Sequence, residues 1–68
     1  MPEEAIDMRY ESKYCVHTID PFNNYRMTII KAKKIVIGDV YTTFYDYYGS
    51  ISGSFRNDIL LGYAKENK

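Results

Sequence analysis

The stretch VYTTFYDYYGS, residues 40–50, decides the fold, because its pattern fits both a strand and a helix. As a helix, it would begin after Asp39 as the N-terminal cap and end at Gly49 as the C-terminal cap. That helix would turn one stripe of side chains toward the core: Val40, Phe44, Tyr47 and Tyr48. Because residues suited to both caps are present, we predict a helix over residues 40–48.

The same stretch also has the composition of a strand, since β-branched and aromatic residues fill most of its positions. A strand would place alternate side chains on opposite faces. One face would carry Tyr41, Thr43, Tyr45 and Tyr47, and the other would carry Val40, Thr42, Phe44 and Tyr48. The strand therefore stays an open alternative for residues 40–48.

The C-terminal stretch SFRNDILLGYAKENK, residues 54–68, also has helical features. Ser54 can cap a helix, and Lys65 falls in the last turn, where a cation complements the helix dipole. Four apolar side chains recur at helical spacing: Phe55, Ile59, Leu60 and Tyr63. We predict a helix from Phe55 to Glu66, although Gly62 lowers its stability by about 1 kcal/mol relative to alanine.

The N-terminal half of the chain predicts antiparallel strands. RYESKYCVHTID, residues 9–20, alternates with period two, which is typical of a half-buried strand. Tyr10, Ser12, Tyr14, Val16 and Thr18 would share one side, and Cys15, His17 and Ile19 the other. DPFNN, residues 20–24, contains a proline and two asparagines that tolerate left-handed backbone, so we predict a reversal of the chain there.

Residues 25–39, YRMTIIKAKKIVIGD, carry two β-branched clusters, 28–30 and 35–37, on either side of KAKK. They form either two short strands joined by a basic turn or one long bent strand. The connections are too short for parallel crossovers. We predict an α+β fold, in which a small antiparallel sheet of two or three strands is followed by a helical C-terminal portion. Its core would include Phe44, Ile51, Phe55, Ile59, Leu60 and Tyr63.

The length of 68 residues predicts a single small domain, residues 1–68, with residues 1–8 as a flexible N-terminus. A lone cysteine excludes an internal disulfide and indicates a reducing compartment. The chain starts with neither a basic nor an apolar signal segment, and no apolar run is long enough to span a bilayer. We expect a cytoplasmic protein that does not act at a membrane.

Few residues could carry catalysis or bind a metal. Cys15 and the single histidine, His17, would share a strand face, but a zinc site needs about four ligands. Glu3 and Glu4 lie near the terminus, where solvated charge is ordinary. No phosphate-binding glycine motif or nucleophile elbow is present. We therefore expect no catalytic residue, no metal and no cofactor, and a protein that is not an enzyme.

The tyrosine run is the strongest functional feature, because tyrosine is enriched at protein-binding hot spots. We predict a small accessory or regulatory protein that binds another protein through this surface. The candidate partner-binding residues are Tyr41, Tyr45, Tyr47 and Tyr48. The abundance of Ile, Lys, Asn and Tyr suggests a bacterial or phage-encoded protein, for example an inhibitor.

Two alternatives stay open. The basic segment 26–34 could bind nucleic acid with tyrosines stacking on bases, although nine basic and nine acidic residues give no net charge. Its candidate residues are Arg26, Lys31, Lys33, Lys34 and Arg56. In the second alternative the protein is a self-associating structural subunit, for example a homodimer, since zero net charge and a small core favour burial against another copy.

Residues 33–64 resemble the ribbon-helix-helix repressors. KIVIG would be the strand, DVYTTFYDYY the first helix, and the segment capped by Ser54 the second. The resemblance implies a dimer that reads the DNA major groove with the polar face of the strand. Residues 35–37 depart from the family pattern, because they are apolar at consecutive positions where polar alternation is needed, so we do not assign the chain to that family.

Overall fold

A computed structural model describes residues 4–66, which form five antiparallel strands in one sheet and no helix. The strands are β1 (Glu4–Ile19), β2 (Tyr25–Ile37), β3 (Tyr41–Tyr45), β4 (Ile51–Arg56) and β5 (Leu60–Lys65). Their order in the sheet is β4-β3-β2-β1-β5. The first four strands thus form a meander, and β5 returns to the free side of β1, so that β4 and β5 are the sheet edges.

The predicted α+β fold is wrong, and the tyrosine run is where it first fails. Residues 41–45 form a strand, in which Thr42 and Phe44 are buried while Tyr41 is exposed. The residues that suggested helix caps belong to turns. Gly49 has a φ of 85° in the β3–β4 turn, where its N–H donates to the carbonyl of Asp46. Glycine and aspartate serve both helix ends and hairpin turns, so these residues could not separate the two folds.

The predicted helix from Phe55 to Glu66 is also wrong. The chain turns after β4, where the N–H of Ile59 donates to the carbonyl of Arg56, and continues as β5. Phe55, Leu60 and Tyr63 do pack against the core, but from two strands rather than one helix. Without helices, the resemblance to ribbon-helix-helix repressors does not extend to the structure.

Four further residues that were predicted to lie in the core are exposed. Ile51 is 63% exposed at the start of the edge strand β4, and Val40 is 57% exposed in the β2–β3 turn. Tyr47 and Tyr48 also stand in solvent after β3 ends. Val40, Tyr47 and Tyr48 were expected in the core because of a helical stripe that the chain does not form, and Ile51 was expected there as part of the predicted helical portion.

The N-terminal hairpin is confirmed, although the sheet has five strands rather than two or three. The chain reverses at residues 20–24, and Asn23 adopts the left-handed conformation with a φ of 69°. In β1, Tyr14, Val16 and Thr18 are buried on one side, as the alternation predicted. The strand is longer than predicted and begins at Glu4, so residues 4–8 of the predicted flexible terminus lie in β1, and residues 1–3 lie outside the described residues.

The segment 25–37 forms one long strand, and not two short strands joined by a basic turn. Its alternation changes phase, because Ala32 and Ile35, three positions apart, are both buried. At this irregularity Asp7 pairs with Lys34 and Ser12 pairs with Ala32, so β1 has extra residues bulged out between these pairs. Bulges bend and twist a strand, which lets the long hairpin curve around the core.

The core is an aromatic cluster centred on Phe44, which is fully buried. Its ring centroid lies 5.3 Å from that of Tyr63, 5.9 Å from that of Phe55 and 6.4 Å from that of Tyr14. Burial raises the pKa of Tyr63 above its ordinary value. Among residues 4–66, the buried apolar residues are few: Tyr14, Val16, Ala32, Ile35 and Phe44. Within residues 4–66, no helix is long and apolar enough to cross a membrane.

The carboxylate of Asp20 organises the β1–β2 turn. It accepts hydrogen bonds from the backbone N–H of Asn24 at 2.8 Å and of Phe22 at 2.9 Å. These bonds, led by the one from Asn24, hold the pKa of Asp20 below its ordinary value of 3.8. The folded state therefore favours the ionised form, which stabilises the turn.

This turn predicts an acid-dependent contribution to stability. Because the folded pKa of Asp20 is depressed, its contribution is fully present above pH 3.8 and is lost as the pH falls through the folded value. Asp20→Asn should therefore lower the urea midpoint at neutral pH more than at about pH 2.5. Urea unfolding at both pH values checks this. An equal loss at both pH values would show that the charge on Asp20 has no part in stabilising the turn.

Candidate functional site

An open groove of about 710 Å³ lies on the face of the sheet opposite the core. Its floor comes from β2 and β3, where Val36 pairs with Thr43 and Lys34 pairs with Tyr45. These side chains alternate with the buried Ile35 and Phe44, which places them on the outer face. We call it the tyrosine groove. Its lining residues are Asp7, Lys33, Lys34, Val36, Gly38, Asp39, Tyr41, Thr43, Tyr45, Asp46, Tyr47 and Gly49.

Three tyrosines form the aromatic part of the tyrosine groove. Tyr41 and Tyr45 stand on the same face of β3 with the smaller Thr43 between them, and Tyr47 extends from the β3–β4 turn. Tyr41 is 51% exposed and Tyr47 is 63% exposed. These rings therefore offer apolar area and hydroxyl groups to a ligand without being needed to fill the core.

The β3–β4 turn holds Tyr47 in place through two sets of hydrogen bonds. The Asp46 carboxylate accepts from the backbone N–H of Tyr48 and of Ser50, each at 2.9 Å. The N–H of Tyr47 donates to Oε2 of Glu11 at 2.8 Å, which ties the turn to the bulged part of β1. One end of the groove is thereby fixed to a strand that lies far away in the sequence.

The charges of the groove are mixed. Lys33 and Lys34 face Asp7, Asp39 and Asp46, so two cations and three anions give a formal charge of minus one. The Nζ atom of Lys33 lies 3.6 Å from Oδ1 of Asp7, which partly neutralises both groups. A groove with this balance does not attract a polyanion, because phosphate backbones are bound by an excess of lysine and arginine.

The structure thus brings together two sets of residues that the sequence indicated separately. Tyr41, Tyr45 and Tyr47 of the predicted partner surface line the same groove as Lys33 and Lys34 of the basic segment. Tyr48, also predicted for that surface, is not part of the lining. It is 87% exposed, and its ring packs edge-on against Tyr47 with centroids 5.3 Å apart.

The other basic candidates lie apart from the groove. Arg56 is on the edge strand β4 and pairs with Asp58, with 2.9 Å between nitrogen and oxygen. Lys31 lies opposite Lys13 on the outer face of β1 and β2, and Arg26 lies near Asp20 at the hairpin turn. The five basic residues 26, 31, 33, 34 and 56 therefore do not form one continuous surface.

Cys15 and His17 lie on the same face of β1, as the alternation predicted, because they are two positions apart in one strand. They lie opposite Ile29 and Met27 on β2. The Nδ1 atom of His17 is hydrogen-bonded to the hydroxyl of Tyr25, and the two rings stack. Among residues 4–66, no three His, Cys, Asp or Glu side chains come together in a way that could hold a metal ion.

Sequence reasoning missed the acidic and small residues of the groove. Asp7 reaches it because β1 pairs with β2 over its whole length, and Val36 and Thr43 reach it through the β2–β3 register. The period-two pattern of residues 41–45 could have indicated Tyr41, Thr43 and Tyr45 as one face. No local signal could have indicated Asp7 or Glu11, because their positions depend on long-range strand pairing.

Comparison with known proteins identified no relative: no protein-family model, no curated protein and no solved structure matches this chain. The geometry and chemistry of the tyrosine groove are therefore the basis for assigning a function.

Proposed function

We propose that the protein is a non-enzymatic binding protein whose tyrosine groove takes an extended segment of another protein. The observation that carries this proposal is the convergence of Tyr41, Tyr45 and Tyr47 in one open groove with Lys33 and Lys34. The volume of about 710 Å³ falls within the usual range of ligand pockets and accommodates several side chains. Tyrosines at such positions supply large contact area at a low cost in conformational entropy.

The charge of the groove favours a polypeptide over nucleic acid. With two lysines against three aspartates, the groove lacks the positive excess that binding to phosphates requires. A polypeptide can match the mixture, with an acidic side chain near Lys34 and polar groups against the tyrosine hydroxyls. The basic segment 26–34 by itself suggested a nucleic-acid partner because the three aspartates of the groove lie outside that segment in the sequence.

A quantitative pull-down tests this function. Tyr41→Ala and Tyr47→Ala should each weaken partner binding by about 1–2 kcal/mol, or roughly 5- to 30-fold, because each removes an exposed aromatic anchor. Tyr10→Ala is the matched control, since Tyr10 is 72% exposed on β1 and does not line the groove. Proteins from the native host that are retained by wild type and by Tyr10→Ala, but lost from both groove variants, would identify the partner.

The captured partner then allows a direct measurement. A titration of the isotope-labelled protein followed by NMR should shift the backbone resonances of β3 and of the β3–β4 turn. Shifts confined to another part of the sheet would contradict the proposed site.

Fluorescence anisotropy with single-stranded oligonucleotides at about 50 and 200 mM salt tests the alternative that the protein binds nucleic acid, because binding through phosphates weakens steeply with salt. Tight, salt-sensitive oligonucleotide binding that requires Lys33 and Lys34 would contradict the proposal and show that the ligand of the groove is nucleic acid.

A further inference from the structure

A second exposed surface lies on the outer face of β1 and β2, away from the tyrosine groove. We call this surface the hairpin face, and it consists of four successive rows, each of them a pair of residues that lie opposite each other on β1 and β2. The rows are Lys13 with Lys31, Cys15 with Ile29, His17 with Met27, and Ile19 with Tyr25. None of these residues lines the tyrosine groove.

Three large side chains of the hairpin face on β2 are open to solvent. Met27 is 49% exposed, Ile29 is 48% exposed and Tyr25 is 58% exposed. On its other side the face continues onto β5, where Ala64 pairs with Cys15 and Gly62 pairs with His17. Exposed apolar side chains in adjoining rows mark interaction surfaces, whereas single ones scattered over a surface do not.

The two ends of the hairpin face differ chemically. One end carries Lys13 and Lys31 directly opposite each other, and within residues 4–66 neither forms an ion pair. Like charges in directly opposed positions destabilise a sheet. The other end carries Tyr25, whose ring stacks on His17 with centroids 5.8 Å apart.

This arrangement is complementary to itself under a two-fold rotation. A two-fold axis that lies in the plane between two stacked copies, perpendicular to the strands and midway between the row of Ile29 and the row of Met27, exchanges those two rows. It also places Lys31 of one copy against Tyr25 of the other, where the ammonium group can lie over the aromatic ring. A copy stacked in the parallel direction would instead bring lysine against lysine. Nine basic and nine acidic residues leave no net charge to oppose association.

We infer that a second copy of this chain covers the hairpin face, in a two-fold dimer whose two contact surfaces are the same. The size of the face limits the area that this dimer can bury. The face is seven residues long, with a rise of about 3.4 Å per residue, and three strands wide, with about 4.8 Å between strands, so its area is roughly 300 Å² per copy. Two copies together bury about half of the roughly 1,200 Å² at the lower limit of stable interfaces, so the dimer should be weak and should dissociate on dilution.

Analytical ultracentrifugation of the full chain between about 10 µM and 1 mM tests the dimer, over the range expected for so small an interface. Wild type should pass from monomer to dimer across this range. Ile29→Lys should weaken association by more than about 10-fold, because it places a charge at the centre of the interface. Ile51→Lys is the matched control, since Ile51 is 63% exposed on β4, outside the hairpin face, and should dimerise as wild type does.

The thiol of Cys15 gives a second readout that does not depend on a variant. Cys15 is a half-buried free thiol in the middle rows of the hairpin face. Its rate constant for reaction with a thiol reagent should fall as the protein concentration rises, because the second copy covers it. In Ile29→Lys the rate constant should not depend on protein concentration, and an unchanged urea midpoint would show that this variant is folded.

Two results would overturn the inference. One is a wild-type protein that stays monomeric up to about 1 mM, with a reactivity of Cys15 that is independent of concentration. The other is a dimer that Ile51→Lys disrupts and Ile29→Lys leaves intact, since that dimer would use a different face. Neither result would affect the tyrosine groove, whose residues are separate.

Discussion

Phe44→Ala should unfold most of this protein at room temperature. Phe44 is fully buried, and its ring contacts the rings of Tyr14, Phe55 and Tyr63. Truncating a buried phenylalanine costs about 3–5 kcal/mol. One hydrophobic core in a domain of 68 residues rarely supplies more than roughly 3–5 kcal/mol of stability, so this one change removes most of it.

Urea unfolding followed by tyrosine fluorescence measures this loss, since the chain has eight tyrosines and no tryptophan. Tyr48→Ala is the control for loss of an aromatic side chain, because Tyr48 is 87% exposed, and it should change the stability by no more than about 0.5 kcal/mol. Phe44→Leu should fall between the two. If Phe44→Ala and Tyr48→Ala had the same urea midpoint, the assigned core would be wrong.

Asn57→Ala should cause the second large loss, of about 2–3 kcal/mol. The side chain of Asn57 accepts a hydrogen bond from the hydroxyl of Thr42 at 2.7 Å and donates to the carbonyl of Gly38 at 2.8 Å. Thr42 is buried, so removing the amide leaves its hydroxyl without this partner in the interior. A buried polar group that loses its partner costs more than the hydrogen bond itself is worth.

A double-mutant cycle separates this bond from other effects of the substitution. Thr42→Val removes the buried hydroxyl while nearly keeping its shape, so Asn57→Ala should cost about 1–2 kcal/mol less in that background. Thr43→Val is the matched control, because the bond of its hydroxyl to Ser54 is exposed to solvent. Strictly additive losses for Thr42→Val and Asn57→Ala would contradict the proposed coupling.

Asn57 also shows why the C-terminal half was predicted incorrectly. Its backbone N–H donates to the carbonyl of Val40, so the turn after β4 is bonded to the turn before β3. In sequence, the same residue lies near the start of an apparently helical segment. The spacing of Phe55, Ile59 and Tyr63 looks helical because two short strands with a turn between them can also place apolar residues about four positions apart in the sequence. The spacing alone does not say whether one element or two carries them.

The candidate site was predicted in part. The tyrosine run and the lysines of KAKK were both indicated by residue type, and three of the four tyrosines line the groove with Lys33 and Lys34. Their meeting in one groove follows from the pairing of β2 with β3, in which Lys34 lies opposite Tyr45. Asp7, which lines the groove, and Glu11, which accepts a hydrogen bond from Tyr47, were not predicted, because both belong to β1 and lie more than twenty residues away in sequence from the residues that they contact.

The sequence by itself determined the features that depend on neighbouring residues. The alternation of residues 14–19 set which side of β1 is buried, and the proline and asparagines of residues 20–24 set the reversal. Tertiary structure alone decided the state of residues 40–48, because the local preferences for helix and strand were nearly balanced there. Residues 41–45 form a strand whose backbone groups are hydrogen-bonded to β2 and β4, and this strand buries Phe44 among Tyr14, Phe55 and Tyr63. Those contacts join residues far apart in the chain, and their free energy outweighs the small differences in local propensity.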